Sequence, residues 1–287
     1  MKNKKSIPLI KENRILKLID VLNCFSEYPY NRENQRDCVL GLYPGKSEKS
    51  VFRGMVIPSL RYLSLIIGYE DLIRPSANGR LILESRKKSK KETLRVVRAI
   101  VLELDKRLGF IQQLKQLISL TGFINKKDFE NLISQEIKGP SEKQREERAK
   151  RWIRILEDCM LIKFKNKKRH IILEKENLHQ AEKDLEIASK DTKFKDILFK
   201  EYNSLPYSET AGVVDIATLR ELVAIRFYKE YKLILTESQF DKLLRKHPFI
   251  TNDYIISFGH PMGAEEKLFY YKDESYRTLS IKFLDLR

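Results

Sequence analysis

Three times along this 287-residue chain, short helical segments with one apolar face are followed by two short apolar runs around a turn. This order of elements constrains the fold more than any other feature of the sequence. In the first segment, Ile15, Leu18, Ile19, Leu22 and Phe25 recur at the spacing that places them on one helix face. The pattern predicts a mainly α protein with small β-hairpins, in the α+β class.

The first occurrence of this order combines helix signals with a strong turn signal. Ser47 or Ser50 serves as N-cap of a third helix, and Pro58 begins a further helix that runs to Ile67. An Asn-Gly pair lies between apolar runs within residues 72–83, which predicts a hairpin there. Helices followed by a hairpin are the order of a winged helix-turn-helix subdomain.

The order returns twice in the rest of the chain. A long helix after Ser141 has a stripe that is predicted to be buried and consists of Ala149, Trp152, Ile153, Leu156 and Met160. The other predicted helices cover 93–108, 111–120, 127–136, 193–203, 215–229 and 236–246, and the paired strands are 161–164 with 170–173 and 254–258 with 267–271.

These elements divide the chain into three units. Residues 1–90 hold an N-terminal arm and a first winged-helix subdomain, and residues 191–287 hold a C-terminal winged-helix subdomain. Residues 91–190 between them form a helical linker or a second winged-helix-like subdomain. The run Arg86–Lys91, with five charges in six positions, marks the first boundary because no core could bury it. The architecture is therefore tandem winged helix-turn-helix subdomains with a helical linker subdomain.

Charge indicates the class of partner. The chain has 56 Lys and Arg against 40 Asp and Glu, a net charge of +16, which is typical of nucleic-acid binding. It has no apolar stretch of membrane-spanning length and no apolar segment of a secretory signal at its start, so we expect a soluble, cytoplasmic protein. A membrane-surface helix would need a wide basic face opposite an aromatic one, and a sheet-type RNA module would need aromatic strands; neither is predicted.

The cysteines and histidines do not predict a metal site. Cys24, Cys38 and Cys159 are odd in number, lack a Cys-x-x-Cys pair and lie among apolar neighbours, so we interpret them as buried small hydrophobes rather than metal ligands. The four histidines lie far from the cysteines, and none is four residues from another. We expect no cofactor in this chain, and Mg²⁺ only in a separate nuclease domain.

Exposed side chains on the predicted helices and wings are the candidates for DNA contact. Arg61 is the best candidate to read a base, because a guanidinium donates two parallel hydrogen bonds to guanine; the alternative is a solvated surface arginine. Gln239, near a helix start, contacts adenine or a phosphate, or is an ordinary surface amide. The full predicted set is Lys2, Lys4, Lys5, Lys49, Arg53, Ser59, Arg61, Tyr62, Arg80, Arg148, Arg151, Lys165, Lys168, Ser238, Gln239, Lys242, Arg245 and Lys246.

Two parts of this set have a second interpretation. The arm Lys2–Lys5 is expected to be unstructured without a partner, and either enters a minor groove or acts as a solubilising tail. The arginines of the long middle helix alternate with Glu142, Glu146 and Glu147, so they either hold phosphates or form ion pairs with residues four positions away.

With these elements placed, the chain resembles the DNA-recognition part of Type IIS restriction endonucleases. The resemblance rests on Val51–Tyr62 with the wing 72–83, on Trp152–Leu173 and on Asp215–Tyr271, and on their order and length rather than an invariant motif. It implies that two winged-helix subdomains, joined by a helical linker, read a short asymmetric site as a monomer. It also implies that a separate nuclease domain cuts the DNA and that the middle arginines belong to the linker.

Two other functions remain open from the sequence. A winged-helix transcriptional regulator would normally dimerise on a palindrome, whereas three unlike units favour an asymmetric site. A metal-dependent nuclease would need a carboxylate pair and a lysine, for which Asp253, Glu265 and Lys267 are a formal match. Because Glu265 belongs to a predicted tight turn within a wing, we expect no catalytic centre in this chain.

Overall fold

The computed structural model describes residues 4–69, 73–188, 193–206, 212–261 and 267–284. It is mainly helical with small antiparallel sheets, which confirms the α+β class predicted from the sequence. Among the described residues, none of the helices combines the length and the apolar composition needed to cross a bilayer.

The bounds of the elements are as follows. The helices are α1 Ile15–Glu27, α2 Arg32–Gly41, α3 Glu48–Val51, α4 Ile57–Tyr62, α5 Ala77–Arg86, α6 Lys90–Leu108, α7 Phe110–Thr121, α8 Lys126–Glu136, α9 Glu142–Asp158, α10 Lys175–Ala188, α11 Phe194–Asn203, α12 Ile216–Tyr231 and α13 Glu237–Lys246. The strands are β1 Ile66–Ile67, β2 Arg74–Pro75, β3 Ile124–Asn125, β4 Ile162–Lys165, β5 His170–Leu173, β6 Val214–Asp215, β7 Tyr254–Gly259, β8 Phe269–Tyr271, β9 Glu274–Tyr276 and β10 Thr278–Phe283.

Helices α3 and α4 form one continuous helical run, so the predicted new start at Pro58 is wrong. The segment Phe52–Val56 between them is π-helical, and the N–H of Ile57 bonds the carbonyl of Phe52, five residues earlier. A widened turn just before Pro58 lets the helix pass a residue that has no N–H and whose ring crowds the preceding turn. Of the two predicted caps, Ser47 is the one used: its hydroxyl accepts the N–H of Ser50 at 3.4 Å.

The predicted hairpin over 72–83 is also wrong. A shorter pairing joins β1 to β2, with Ile66 opposite Pro75, and residues 77–86 are helical. Gly79 lies in the first turn of α5, where a Cβ atom would come within 2.2 Å of the carbonyl oxygen of Leu65. The glycine is therefore required for close packing between backbones, not for a turn. Since α4 ends at Tyr62, the predicted helix end at Ile67 is wrong as well.

The middle and C-terminal parts share one arrangement of elements. Each runs helix, strand, helix, helix and then two longer strands, and in the C-terminal part the short strands β8 and β9 lie between these two. Each sheet has its last strand in the centre, in the orders β3-β5-β4 and β6-β10-β7. The predicted pairing of 254–258 with 267–271 is wrong, because β7 pairs with β10, while β8 pairs with β9. Lys272 and Asp273 both have positive φ, which is the geometry of a tight two-residue hairpin turn between β8 and β9.

The described residues form two hydrophobic cores. One contains residues from Ile7 to Leu185, with the fully buried Trp152 among them, together with Tyr228 and Ile234, so it joins the first and middle predicted units and also includes part of the C-terminal one. The second contains residues from Ala188 to Ile281. The predicted stripe of α9 is buried apart from Met160, which lies beyond the end of the helix and is 47% exposed.

Cys24 and Cys38 form a disulfide between α1 and α2, which corrects the prediction that all three cysteines are separate buried thiols. The short connection between these helices brings the two Cα atoms to 5.8 Å, a separation suited to a disulfide. Spacing along the sequence could not show this approach. For Cys159 the prediction is confirmed, since it is free and buried.

Candidate nucleic-acid interface

A groove of about 930 Å³ lies between α2, the α3–α4 run and the residues before β2. We call it the basic groove, and its lining residues are Arg32, Gln35, Arg36, Ser47, Glu48, Lys49, Phe52, Arg53, Ile57, Pro58, Arg61, Tyr69 and Ile73. Five of these side chains are cations and one is an acid. Such a surplus attracts a polyanion.

The cations stand on two facing walls because of helical spacing. On the α3–α4 run, Lys49, Arg53 and Arg61 belong to one row of four-residue steps, and on α2 Arg32 and Arg36 are also four residues apart. Like charges at this spacing repel each other, so a bound anion between the walls would lower the energy of both rows. The groove thus has the electrostatics of an anion-binding channel.

Arg61 and Tyr69 form a stacked pair at the edge of the groove. The guanidinium carbon of Arg61 lies 4.6 Å from the ring centroid of Tyr69, and Nη2 donates to the carbonyl of Gly68 at 2.7 Å. The Tyr69 side chain is nonetheless 50% exposed. Arg61 is therefore neither a freely solvated arginine nor a guanidinium with all its donors available; it holds an aromatic ring in place.

The α2 wall is fixed by buried contacts. The amide of Gln35, only 2% exposed, donates to the carbonyls of Tyr28 at 2.8 Å and Ile73 at 3.0 Å. Three residues farther along the same helix, the Cys24–Cys38 disulfide ties α2 to α1. Arg32 and Arg36 consequently project from a helix that is anchored on its other side.

Additional cations adjoin the basic groove. Lys49 and Arg53 are exposed, as predicted, and Lys46 lies close by, with its Nζ 3.5 Å from Met55 Sδ. On the other side of the run, a Cβ atom at Gly54 would be 3.9 Å from Nζ of Lys11. The positive surface therefore continues beyond the groove onto the segment before α1.

Three predicted contact residues of the first unit are wrong because their side chains are engaged in contacts within the protein. Ser59 is fully buried and its hydroxyl donates to the carbonyl of Met55 at 2.6 Å. Tyr62 packs edge-on against Trp152 with ring centroids 5.8 Å apart, and burial raises the pKa of its hydroxyl. Arg80 lies on α5 rather than on a wing and pairs with Glu221 at 2.9 Å.

In the C-terminal unit, the prediction that Gln239 contacts DNA is wrong. It is 4% exposed, and its amide donates to the carbonyl of Leu185 at 2.6 Å while its oxygen accepts the N–H of Thr236 at 3.0 Å. Together with the Thr236 hydroxyl, which accepts the N–H of Gln239, this is a capping box at the start of α13. The residue caps the helix and cannot reach a base.

The whole N-terminal end of α13 is packed against other elements. The N–H of Glu237 donates to Asn78 of α5 at 3.0 Å, and the Thr236 hydroxyl donates to Glu103 of α6. Ser238 is half-buried beside Glu103, so the prediction that it is exposed for DNA contact is wrong. Burial raises the pKa of Glu103, so this junction stabilises the protonated acid relative to the same group in water.

The C-terminal half of α13 is exposed as predicted. Lys242, Arg245 and Lys246 are at the surface, although Arg245 donates to the carbonyl of Tyr270 at 3.0 Å. Its guanidinium also lies 5.7 Å from the Phe269 ring centroid. This end of the helix presents cations without a base-reading amide.

In the middle unit, the structure favours the ion-pair interpretation of the arginines. Arg151 pairs with Glu147 at 2.7 Å and Lys150 pairs with Glu146 at 3.7 Å, both four residues apart. Arg148 donates to the carbonyl of Lys138 at 2.8 Å. Both side chains are half-buried and bonded within the protein, so the structure does not support their prediction as DNA contacts.

The tip of the β4–β5 hairpin is the exposed basic feature of the middle unit. The strands are those predicted, and Lys165 and Lys168 are exposed. Asn166, Lys167 and Lys168 all have positive φ, which shapes a tight turn out of residues that are mostly cationic. The tip projects its charges into solvent, as a phosphate contact requires.

Lys5, at the end of the predicted arm, is docked on the rest of the protein, which corrects the expectation of an unstructured arm at this residue. Lys5 exchanges backbone hydrogen bonds with Glu136 and Lys138, its ammonium pairs with Glu136 at 2.6 Å, and it lies over the Phe110 ring. A single sequence could not reveal this docking site 131 residues away. Lys4 is exposed, and Lys2 lies outside the described residues.

Sequence reasoning missed Arg32, Arg36 and Tyr69. The run Arg32-Glu-Asn-Gln-Arg36 contains a four-residue cation spacing that was open to detection. No pattern pointed to Tyr69, because its place beside Arg61 depends on the chain reversing after α4, where Ser64 has a φ of 57°.

The nuclease alternative gains no support. Glu265 lies outside the described residues, and the ammonium of Lys267 pairs with Glu237. In the described part of the chain, no three His, Cys, Asp or Glu side chains converge in a way that could hold a metal ion.

Comparisons with protein-family models, with curated proteins and with solved structures give no significant match. The interpretation of the site therefore rests on its geometry and charge.

Proposed function

We propose that this protein is a sequence-specific recognition module for double-stranded DNA. The observation that carries the proposal is the basic groove, whose two walls bear five cations. A buried amide and a disulfide anchor the α2 wall, and Arg61 is stacked on Tyr69. Anchored walls keep the cations close to one another before binding, and their attraction for phosphates contributes affinity.

The repeated architecture supports the same function. We infer that the middle and C-terminal parts are winged-helix units, because each has the order helix, strand, helix, helix, strand and a last strand in the centre of the sheet, with the β8–β9 hairpin inserted before that last strand in the C-terminal part. In such units a hairpin tip can lie along the DNA backbone beside a helix. The tip with Lys165 and Lys168 suits this role, whereas the N-terminal end of α13 is covered and does not.

The structure changes which side chains the proposal assigns to each task. Lys49 and Arg53 on the α3–α4 run become the leading groups for contact with base edges and nearby phosphates. Lys165, Lys168, Lys242 and Lys246 are assigned to phosphates alone, because they are exposed cations at ends and tips of elements.

The proposal keeps the resemblance to Type IIS restriction endonucleases as its biological context. In that context the protein acts as a monomer on an asymmetric site, and Mg²⁺-dependent cleavage belongs to a separate nuclease domain. The structure removes the predicted wing over 72–83, since residues 77–86 are helical, so the support for this context comes from the middle and C-terminal parts.

Selection from random duplexes tests the proposal. The wild-type protein should enrich one short asymmetric site at moderate salt, and Arg53→Ala should relax the preference at one base pair and cost about 1 to 3 kcal/mol on that site. Lys183→Ala, an exposed lysine of α10, is the matched control and should leave the selected site unchanged. Enrichment of no sequence, or equal losses for both variants, would contradict the proposal.

A further inference from the structure

We propose that the basic groove receives an unpaired nucleotide extruded from the DNA duplex, with its base stacked on Tyr69. This inference rests on the proposed DNA recognition and specifies the form of DNA that the groove takes. Three features of the groove lead to it: its concave shape, its aromatic and apolar lining, and the placement of its charges.

The shape suits an inserted group better than the edge of an intact duplex. A helix that reads the major groove must protrude into it. Here the row containing Lys49, Arg53 and Arg61 faces a recess of about 930 Å³. Pockets that enclose a small molecule have volumes of about 300 to 1,000 Å³. Paired bases remain within their stack, so only an extruded nucleotide can reach the floor of such a recess.

The lining provides surfaces for a base. Phe52, Ile57, Pro58 and Ile73 contribute apolar surface, and the ring of Tyr69 is half exposed even though the Arg61 guanidinium lies on it. Bases stack on aromatic rings irrespective of their sequence, and an adjacent arginine strengthens the stack. The Arg61 contact to Gly68 fixes the stacking surface before a ligand arrives.

The charges suit the phosphates on either side of one extruded nucleotide. Lys49 and Arg53 stand on one wall, and Arg32 and Arg36 stand on the other. Arg36 also pairs with Asp37 at 3.0 Å, but that carboxylate is 68% exposed, and an exposed ion pair contributes little. Opposed cations of this kind hold the backbone that enters and leaves the recess.

Fluorescence of 2-aminopurine distinguishes this binding mode from simple duplex binding. Two probes are compared at low salt: a duplex with a single unpaired 2-aminopurine, and the same duplex with that base paired. The wild-type protein should bind the first more tightly, by roughly tenfold, because an unpaired base can stack on the aromatic ring without breaking a base pair. Its fluorescence should fall on binding, since the base stacks on Tyr69.

Two variants at one position make the test specific. Tyr69→Ala should lose the preference for the unpaired probe and leave the bound base fluorescent, while Tyr69→Phe should retain both the preference and the quenching. Because Tyr69 is half exposed, neither change opens the core.

Other outcomes separate this inference from the proposed function. Equal affinity of the wild type for both probes, with Tyr69→Ala weakening them alike, would overturn the inference and leave duplex recognition standing. A free single strand that binds as tightly as the unpaired probe would also overturn it. Failure of both probes to bind would contradict the proposed function itself.

Discussion

The carboxylate of Asp105 accepts the indole N–H of Trp152 at 2.9 Å, which joins α6 to α9 in the centre of the larger core. Its second oxygen accepts the backbone N–H of Ile111 at 2.8 Å, near the start of α7. Burial raises the pKa of Asp105, although these hydrogen bonds act in the opposite direction. One buried acid thus satisfies donors from two other helices.

Replacing this acid should reduce stability. Asp105→Asn keeps the size of the side chain but has only one acceptor oxygen, so either Trp152 or Ile111 loses its partner. We expect the free energy of unfolding to fall by about 1 to 3 kcal/mol, measured by urea denaturation. Asp128→Asn, at an exposed position of α8, is the control and should change stability much less. Equal effects of the two substitutions would show that the buried carboxylate is not structural.

The capping role of Gln239 predicts a loss of stability without a loss of specificity. Gln239→Ala removes the bonds to Leu185 and Thr236, so thermal unfolding should occur at a lower temperature, with a cost of about 1 to 3 kcal/mol. The selected DNA site should be the same as for wild type when the folded protein is compared. A changed base preference would restore Gln239 as a DNA contact.

Reduction of the disulfide should weaken both the fold and the groove. Cys24 and Cys38 are 14 residues apart, and closing a loop of this length stabilises a protein by roughly 3 kcal/mol. Cys24→Ser with Cys38→Ser should lower the unfolding free energy by a similar amount and weaken DNA binding, because α2 carries one wall of the groove. Cys159→Ser is the control for thiol loss. Unchanged DNA affinity in the double variant would show that α2 stays in place without the disulfide.

The ion pair of Glu237 predicts a specific dependence on pH. Burial alone would raise the pKa of Glu237, but the ammonium of Lys267 and then the guanidinium of Arg220 outweigh it and hold the pKa below its usual value of 4.5. The folded state therefore binds fewer protons than the unfolded state just below that value, so this contribution is present at neutral pH and is lost as the pH falls.

Comparing the stability of the wild type with that of Glu237→Gln separates the contribution of Glu237 from those of other acids near the start of α13. The wild type should be more stable than the variant at neutral pH, and the difference in unfolding free energy should shrink as the pH drops below 4.5. Burial raises the pKa of Glu103, so its contribution changes with pH in the opposite sense and cancels in the difference. Burial and then the charge of Glu237 raise the pKa of Asp241, so Asp241→Asn is introduced into both proteins before they are compared. A difference that is constant with pH would contradict the ion pair.

The hairpin tip should contribute affinity without specificity. Lys168→Ala should weaken binding to all duplexes alike and reduce the slope of log affinity against log salt by about 1, because one phosphate contact is lost. Arg148→Ala, which loses its bond to the Lys138 carbonyl, should instead reduce stability and leave the slope unchanged. The reverse pattern would show that α9, rather than the wing, contacts phosphates.

Local patterns predicted those parts of the fold that depend on near neighbours. The helices α6 to α9 and the strands β4 and β5 lie within a few residues of their predicted positions, since apolar spacing, caps and short turns act over a few residues. The Asn-Gly signal failed because Ser76 caps a helix there and Leu65 packs against Gly79. A contact from outside the segment outweighed the local preference for a turn.

The candidate site also contains some residues that the sequence could predict and others that it could not. Lys49 and Arg53 could be predicted because helical spacing places them away from the buried stripe of their own helix. Ser59, Arg80 and Gln239 could not be excluded, because each is covered by an element that is distant in sequence or by a cap. Arg32 and Tyr69 enter the groove only through the packing of α2 and the chain reversal after α4.

By itself, the sequence determined that this protein is basic and mainly helical and that cations recur on exposed helix faces, because charge and periodicity are properties of neighbouring residues. Only the tertiary structure decided which of those cations face a common recess and which are used up in ion pairs and caps. The reason is that burial and pairing are set by contacts such as Asp105–Trp152 and Glu237–Lys267, whose partners are 47 and 30 residues apart along the chain.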